Sequence, residues 1–300
     1  MAAFLISGLL NMETVCRVRG FPINYYPIDY PFFGVATAAS GVALNIAKAL
    51  TVLENRVILC SLLADDIPGR VIIDELKSSG IDTENISMGL RETPNSVVLY
   101  DESSRRQIYC DLKDIQECRY DFSSGVLRNA DAVLVGNINF SRPLLKLAKE
   151  QHKLVATDVH VLSNPDDDYN REFLEAADIV FLSDEGISGD YQQFLSAIGA
   201  RFSCRLIVLG MGSKGAMMYL KDENRFVYRP AYSIGSIVST VGAGDALFSS
   251  FMHYYVNGMK PEDALDRAQL FAAMKIRSAS ASKGFPTGNE LEEMFSRLHS

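Results

Sequence analysis

The chain has 300 residues, 48% of them hydrophobic and 22% charged, and its 29 basic and 37 acidic side chains leave a net charge of −8. This is ordinary globular composition, long enough to bury a large core in one big domain or two small ones. The acidic balance argues against nucleic acid as a partner, because backbone phosphates are held by clustered Lys and Arg, although backbone amides could still hold a small anion.

The apolar start, Ala3–Leu10, lacks the basic flank of a signal peptide and reads as a buried first strand. Further strands are expected at Arg56–Ala64, Ala132–Gly136, Leu154–Val159, Ile179–Ser183 and Arg205–Gly210, several of them continuous apolar runs of the kind found in parallel sheets covered on both faces. Helices are expected between them at Gly41–Leu53, Ile67–Ser79, Arg142–Gln151, Asp167–Ala176 and Gly189–Gly199. The alternation predicts an α/β fold with a mostly parallel sheet between two helical layers. Phe33–Leu53 is the longest apolar stretch. Ser40, Asn45 and Lys48 interrupt it short of the ~18 residues of a membrane span, so no membrane partner is expected.

Two regions break the rhythm. Residues 11–33 and 86–111 carry strand patterns at Met12–Val18, Ser96–Asp101 and Arg106–Asp111 with no helix between, the last two separated by a polar turn, Glu102-Ser103-Ser104. They predict a small antiparallel sheet, serving as a lid, as a dimer surface, or both. In the last third, Gly215–Leu220 and Arg225–Ala231 read as a hairpin and Ala243–Val256 as a helix. Pro261 opens another helix, with Glu262 and Asp263 in its first turn. Cys16, Cys60, Cys110, Cys118 and Cys204 are scattered, with no CxxC pair, as expected of reduced thiols in a cytoplasm. His152, His160, His253 and His299 have no metal-ligand spacing.

The strongest motif is Ser239-Thr240-Val241-Gly242-Ala243-Gly244-Asp245, where an extended segment turns into a helix. Small residues let backbone amides approach a ligand, and a helix start adds unpaired donors and partial positive charge. Together they suit a phosphoryl group in transit. Asp245, at the same helix start, is expected to be ionised and able to take the proton of an attacking hydroxyl. The same residues also describe a plain helix with a glycine-rich entry and an Asp cap. Gly210-Met211-Gly212-Ser213-Lys214-Gly215 spells G-x-G-x-x-G after a strand, but a strand pattern follows where a dinucleotide site needs a helix. No G-x-x-x-x-G-K-[ST] sequence is present, so the chain is not a P-loop NTPase.

The 239–245 segment resembles the C-terminal signature D-T-x-G-A-G-D of the ribokinase-like (PfkB) family of carbohydrate and nucleoside kinases, departing from it only at Ser239. Ser40-Gly41-Val42-Ala43-Leu44-Asn45 resembles the family's G-G-x-x-x-N segment, and Ala64-Asp65-Asp66-Ile67-Pro68-Gly69 its G-x-D-x-x-G element. The resemblance implies one three-layer kinase domain over residues 1–300 with a small β-sheet lid. It also implies ATP and Mg²⁺ as cofactors and a sugar or nucleoside as substrate; the oligomeric state stays open, with a homodimer through the lid one reading of that surface. Asp245 would be the base, and Gly242, Ala243, Gly244 and the Asp245 amide the anion hole. Asn11, Gly41 and Asn45 would contact substrate, with Glu13 a further candidate; a carboxamide offers a donor and an acceptor to a hydroxyl. Gly212, Gly215 and Thr240 would line the nucleotide site.

The family's N-x-x-E motif, which positions Mg²⁺ through waters, is replaced by Ser183-Asp184-Glu185-Gly186, leaving Asp184 or Glu185 for that task. The loop Ser278–Gly284 falls where relatives hold adenine and a monovalent cation, K⁺, by backbone carbonyls. Asp158 and His160 end a central strand and are candidates for the pocket rim. Ser40 replaces the first Gly of the family's N-terminal pair; Ser239 in place of an Asp, with Ser183 and Gly186 at the ends of the N-x-x-E motif, motivates a second reading, a catalytically weakened ligand-binding or regulatory protein on the same fold. A nicotinamide-dependent oxidoreductase would rest only on the misplaced glycine pattern.

Overall fold

A computed structural model of the chain describes residues 1–103, 105–278 and 280–299. The chain runs β1 (Ala3–Ser7), β2 (Asn11–Arg17), β3 (Val35–Ser40), α1 (Val42–Val52), β4 (Arg56–Leu62), α2 (Ile67–Ser78), β5 (Ile86–Ser87), β6 (Asn95–Tyr100), β7 (Arg106–Asp111), β8 (Ala132–Gly136), α3 (Arg142–Glu150), β9 (Leu154–Val161), α4 (Arg171–Ala176), β10 (Ile179–Ser183), α5 (Tyr191–Arg201), β11 (Leu206–Gly210), β12 (Ala216–Leu220), β13 (Arg225–Arg229), α6 (Ala243–Val256), α7 (Pro261–Lys275) and α8 (Gly288–His299).

The main sheet has the order β13-β12-β11-β10-β9-β8-β1-β4-β5. It is parallel from β11 to β5, and β12 and β13 turn antiparallel at the far edge. Successive residues of a strand point to opposite faces, and the core divides accordingly. Phe4, Ile6, Leu134, Phe181 and Val208 pack with α1, α2, α6 and α7 on one side. Leu5, Val133, Val180 and Ile207 pack with α3, α4 and α5 on the other. This is the expected three-layer α/β arrangement with a smaller second sheet beside it. After β1 the chain crosses to β4 on one side and later returns to β8 on the other. The carboxyl end of β1 is therefore a topological switch point, the place where open α/β sheets bind ligands.

The second sheet, β3-β2-β6-β7, differs from the expected one at both boundaries. Ile86–Ser87 pairs with β4 in the main sheet, so the segment joins the second sheet only at Asn95. On the other side, Val35–Ser40 lies beyond residue 33 and forms the strand β3. Its sequence, VATAAS, has no polar–apolar alternation to mark it. The β2–β6 pair is parallel, not antiparallel. Ser104, in the polar turn, lies outside the described residues.

Two helices start later than expected. The Asp167 carboxylate accepts from the Asn170 amide, turning the chain before α4, and the Asp190 side chain caps α5 by accepting from the Gln193 amide. The unexpected α8 opens on a reciprocal capping box. Glu290 accepts from the Thr287 amide at 2.8 Å, and the Glu290 amide donates to Thr287 Oγ1 at 3.3 Å. Among the described residues no helix is long and apolar enough to cross a membrane.

Candidate active site

The signature segment makes the turn its small residues imply. Gly242 takes the left-handed conformation (φ 78°) and begins α6. A methyl group there would lie 2.8 Å from the Ala281 carbonyl oxygen and 3.1 Å from Lys275 Nζ, so glycine is required by both conformation and space. Gly244, two residues on, faces open space: no atom lies within 4 Å of the point where its Cβ would stand. The Ala243 amide already donates to the Thr240 carbonyl, and the first helical bond runs from the Ala246 amide to the Gly242 carbonyl. Of the residues expected to form the anion hole, Gly242, Gly244 and Asp245 thus have amides without a backbone acceptor among the described residues.

Asp245 is buried in the first turn of α6. Helix α1 packs directly on α6, which brings Asn45 to Asp245 across the sequence: Asn45 Nδ2 donates to Asp245 Oδ2 at 2.6 Å. Burial pushes the Asp245 pKa up, against the expected effect of the helix start; the Asn45 bond and the charges of His160 and Lys275 oppose that rise, and Asp158 adds to it. A carboxylate so placed is a stronger proton acceptor than an exposed one.

Asn11 and Glu13 lie on one face of β2, two residues apart. Asn11 Nδ2 donates to Ser96 Oγ at 2.8 Å. The carbonyl oxygens Asn11 Oδ1 and Asn45 Oδ1 are buried and have no donor among the described residues. A buried acceptor without a partner is costly, and hydroxyl groups of a ligand are of the kind that would supply one. Gly41 closes this end: a Cβ there would sit 2.5 Å from the Leu9 carbonyl oxygen, so only glycine lets α1 begin against the chain between β1 and β2.

Glu13 is more central than the sequence indicates. Burial raises its pKa, and Asp245 adds to the rise, while Lys275, Ser40 and Arg106 lower it. It stands at one end of a cleft of about 450 Å³ between the second sheet and the approach to α6, lined also by Val98, Arg106, Ser239, Thr240 and Val241. Asn11, Asn45 and Asp245 are not part of that lining. Asp158 and His160 both act electrostatically on Asp245, and the His160 amide donates to Asp158 Oδ1 at 2.8 Å.

Residues 210–215 form a hairpin turn, with a 3₁₀ turn at Gly212–Lys214 between β11 and β12. Its position beside Asp184, whose amide donates to the Gly210 carbonyl, puts Gly212 and Gly215 at the same end of the sheet as α6. Asp184 accepts from the Tyr191 hydroxyl at 2.9 Å and faces Lys214 Nζ at 3.7 Å, so its carboxylate is already engaged. Glu185 is exposed and stands 3.8 Å from Arg106 of β7. Among the described residues no group of three or more His, Cys, Asp or Glu is arranged to hold a metal ion. Within the loop 278–284, Ala279 lies outside the described residues.

Lys275 is the residue the sequence reading missed. It sits fully buried at the end of α7, and its ammonium donates to the Val241 carbonyl. A signal was present: Lys275 follows Ala268 by seven residues and Phe271 by four, on the helix's apolar face.

A family model described as pfkB family carbohydrate kinase matches residues 5–288. The chain belongs to that family. Among its pfkB relatives, an ATP-dependent ribose-1-phosphate kinase of Halopiger xanaduensis is 26% identical over 99% of both chains. A deoxyribokinase of Salmonella typhi is 36% identical, but over only 30% of this chain and 28% of that protein. The fold is also that of pfkB neighbours of known structure. A putative ribokinase from Agrobacterium tumefaciens gives a TM-score of 0.88 at 22% identity, covering 99% and 98% of the two chains. A ribokinase of Arabidopsis thaliana complexed with ribose and ATP gives 0.81 at 20% identity and 98% coverage of both.

Proposed function

We propose that the chain transfers the γ-phosphoryl group of ATP to a hydroxyl of a small neutral sugar or nucleoside, with Asp245 as the base. The observation that carries this reading is the buried Asp245 carboxylate, 2.6 Å from Asn45 Nδ2 and one residue from the open amide of Gly244. The acceptor lies under the second sheet. Its hydroxyls donate to Asn11 Oδ1 and Asn45 Oδ1, the two carbonyl oxygens that lack donors. Asp245 takes the proton of the attacking hydroxyl, and the Gly244 and Asp245 amides face the charge that develops on the moving phosphoryl group. The second sheet acts as the lid. Arg106 on β7 reaches Glu185 at the carboxyl end of β10 and so spans the cleft mouth.

The nucleotide lies along Thr240 and the turn Gly212–Gly215. Mg²⁺ would neutralise charge on its phosphates, and Asp184 or Glu185 would reach it through water, each of them already facing a cation, Lys214 and Arg106. A neutral acceptor is favoured because the arginines of the second sheet have protein partners, including Arg106 of the cleft lining, which faces Glu185 at 3.8 Å. Arg19 pairs with Asp29, Arg105 with Asp101, and Arg17 donates to the Phe32 carbonyl. The test is ADP formation from ATP·Mg²⁺ across a panel of sugars, sugar phosphates and nucleosides. Acceptor-dependent release with a neutral compound is expected; activity confined to phosphorylated acceptors would overturn the neutral class. ATP binding with no release across the panel would favour a ligand-binding role on the same fold.

A further inference from the structure

Lys275 is a fully buried lysine that the mechanism above does not use. Its ammonium donates to the carbonyl of Val241, the residue before the turn. It also lies 3.1 Å from the point where a Cβ on Gly242 would stand, with the Ala281 carbonyl oxygen closing the same spot from the other side at 2.8 Å. The Val241 carbonyl, a backbone oxygen that could ligate a small cation beneath the signature loop, is therefore already held by an ammonium. A buried cation needs countercharge. Ser239 beside it is neutral, and the anionic groups that act on Lys275 are Asp245 on α6 and Glu13 on β2. Burial lowers its pKa to about 8, with those two carboxylates pulling it back up.

We infer that the Lys275 ammonium is a tethered cation that holds the anion-hole loop by the Val241 carbonyl and takes the place of a monovalent metal ion, so that this enzyme works without K⁺. Lys275 is a positioning residue here. It fixes the Gly242–Asp245 turn from beneath and places one positive charge behind the amides that face the phosphoryl group. A chain that needed K⁺ at this place would have to put two cations at the Val241 carbonyl, which Coulomb repulsion in a buried site disfavours.

The kinetic part of the test rests on the kinase reading above. The wild-type enzyme is assayed in K⁺ and in tetramethylammonium at matched ionic strength, beside Lys275→Ala and Lys275→Met. Crystals of wild type and Lys275→Ala are soaked in Rb⁺, a K⁺ substitute visible by its anomalous scattering. The wild-type rate should be the same in both salts. Folded Lys275→Ala should lose kcat by about tenfold or more, as for removal of preorganised positive charge, and K⁺ or methylammonium should restore part of it. Rb⁺ should appear beside the Val241 carbonyl in the variant and not in the wild type. Activation of the wild type by K⁺, Rb⁺ at that carbonyl in the wild type, wild-type kcat in either folded variant, or a loss in folded Lys275→Ala that no small cation restores would each overturn the proposal. The wild-type Rb⁺ soak needs no acceptor and no variant, so Rb⁺ at the Val241 carbonyl there overturns the proposal even if the kinase reading fails or the variants do not fold.

Discussion

Two glycine-rich segments lie at the same end of the main sheet, and only one of them opens a long α-helix. In residues 210–215 the backbone bonds to itself: Met211 donates to Gly215, Lys214 to Met211, and Gly215 to Gly212. A single 3₁₀ turn and then strand β12 follow, so no α-helix adds its dipole there. In residues 239–245 the helix α6 follows, and the amides of Gly244 and Asp245 precede its first internal bond. Glycine spacing alone does not make an anion hole; the element that comes after the glycines does.

Among the glycines of the two segments the largest effect is expected at Gly244. Gly244→Val puts a side chain into the space beside the amides, where its Cβ meets no atom of the protein beyond its own helix within 4 Å. It should lower kcat by roughly 10²–10³-fold, the size seen when an oxyanion donor is lost, while circular dichroism and melting stay near wild type. Wild-type turnover in that variant would remove the hole from the mechanism.

Gly215 tests the other segment. Its φ is 105°, and a Cβ would fall 2.1 Å from the Arg229 carbonyl oxygen. Gly215→Ala should therefore destabilise the fold by about 1–3 kcal/mol through backbone strain, read from urea unfolding. Gly212→Ala, where a Cβ meets nothing within 4 Å, should cost about 1 kcal/mol for its left-handed φ alone. Equal effects at the two glycines would show that the turn is not held as described.

A smaller effect, on stability alone, is expected at His253. The ring lies by Asn55 at the far end of α6, and burial lowers its pKa to about 4, helped by the N-terminal charge. The folded chain keeps the ring neutral down to that pH, whereas the unfolded chain binds a proton from about pH 6.5. Between those values the unfolded state holds more protons, so stability falls as pH drops. The urea midpoint should fall from pH 7 to pH 5 in the wild type, and less steeply in His253→Gln. Identical slopes would take His253 out of the acid response.

Much of this was legible in the sequence, for identifiable reasons. Ala132–Gly136 and Ile179–Ser183 are strands to the residue because central parallel strands must be apolar on both faces. The Ala243–Val256 helix was legible from its glycine entry and apolar run. What escaped depends on tertiary context. Strand β3 is built from Ala, Thr and Val and becomes a strand only by pairing with β2. Ile86–Ser87 is too short to show which sheet it joins. Helix α8 carried its signal in Thr287 and Glu290, a capping box that ordinary periodicity does not reveal. The rise in the Asp245 pKa was hidden because a helix start argues the other way, and only the packing of α1 on α6 shows how deeply the carboxylate is buried.

The central claim, that Asp245 is the base, is tested most directly by Asp245→Asn at saturating ATP·Mg²⁺ and acceptor, with nucleotide affinity and melting measured on the same preparation. The account predicts a loss of kcat of roughly 10²–10⁴-fold, the range for removal of a general base. Nucleotide affinity should be retained, and the melting temperature should be no lower, because a neutral amide relieves the cost of a buried charge. Turnover close to wild type in that variant would contradict it.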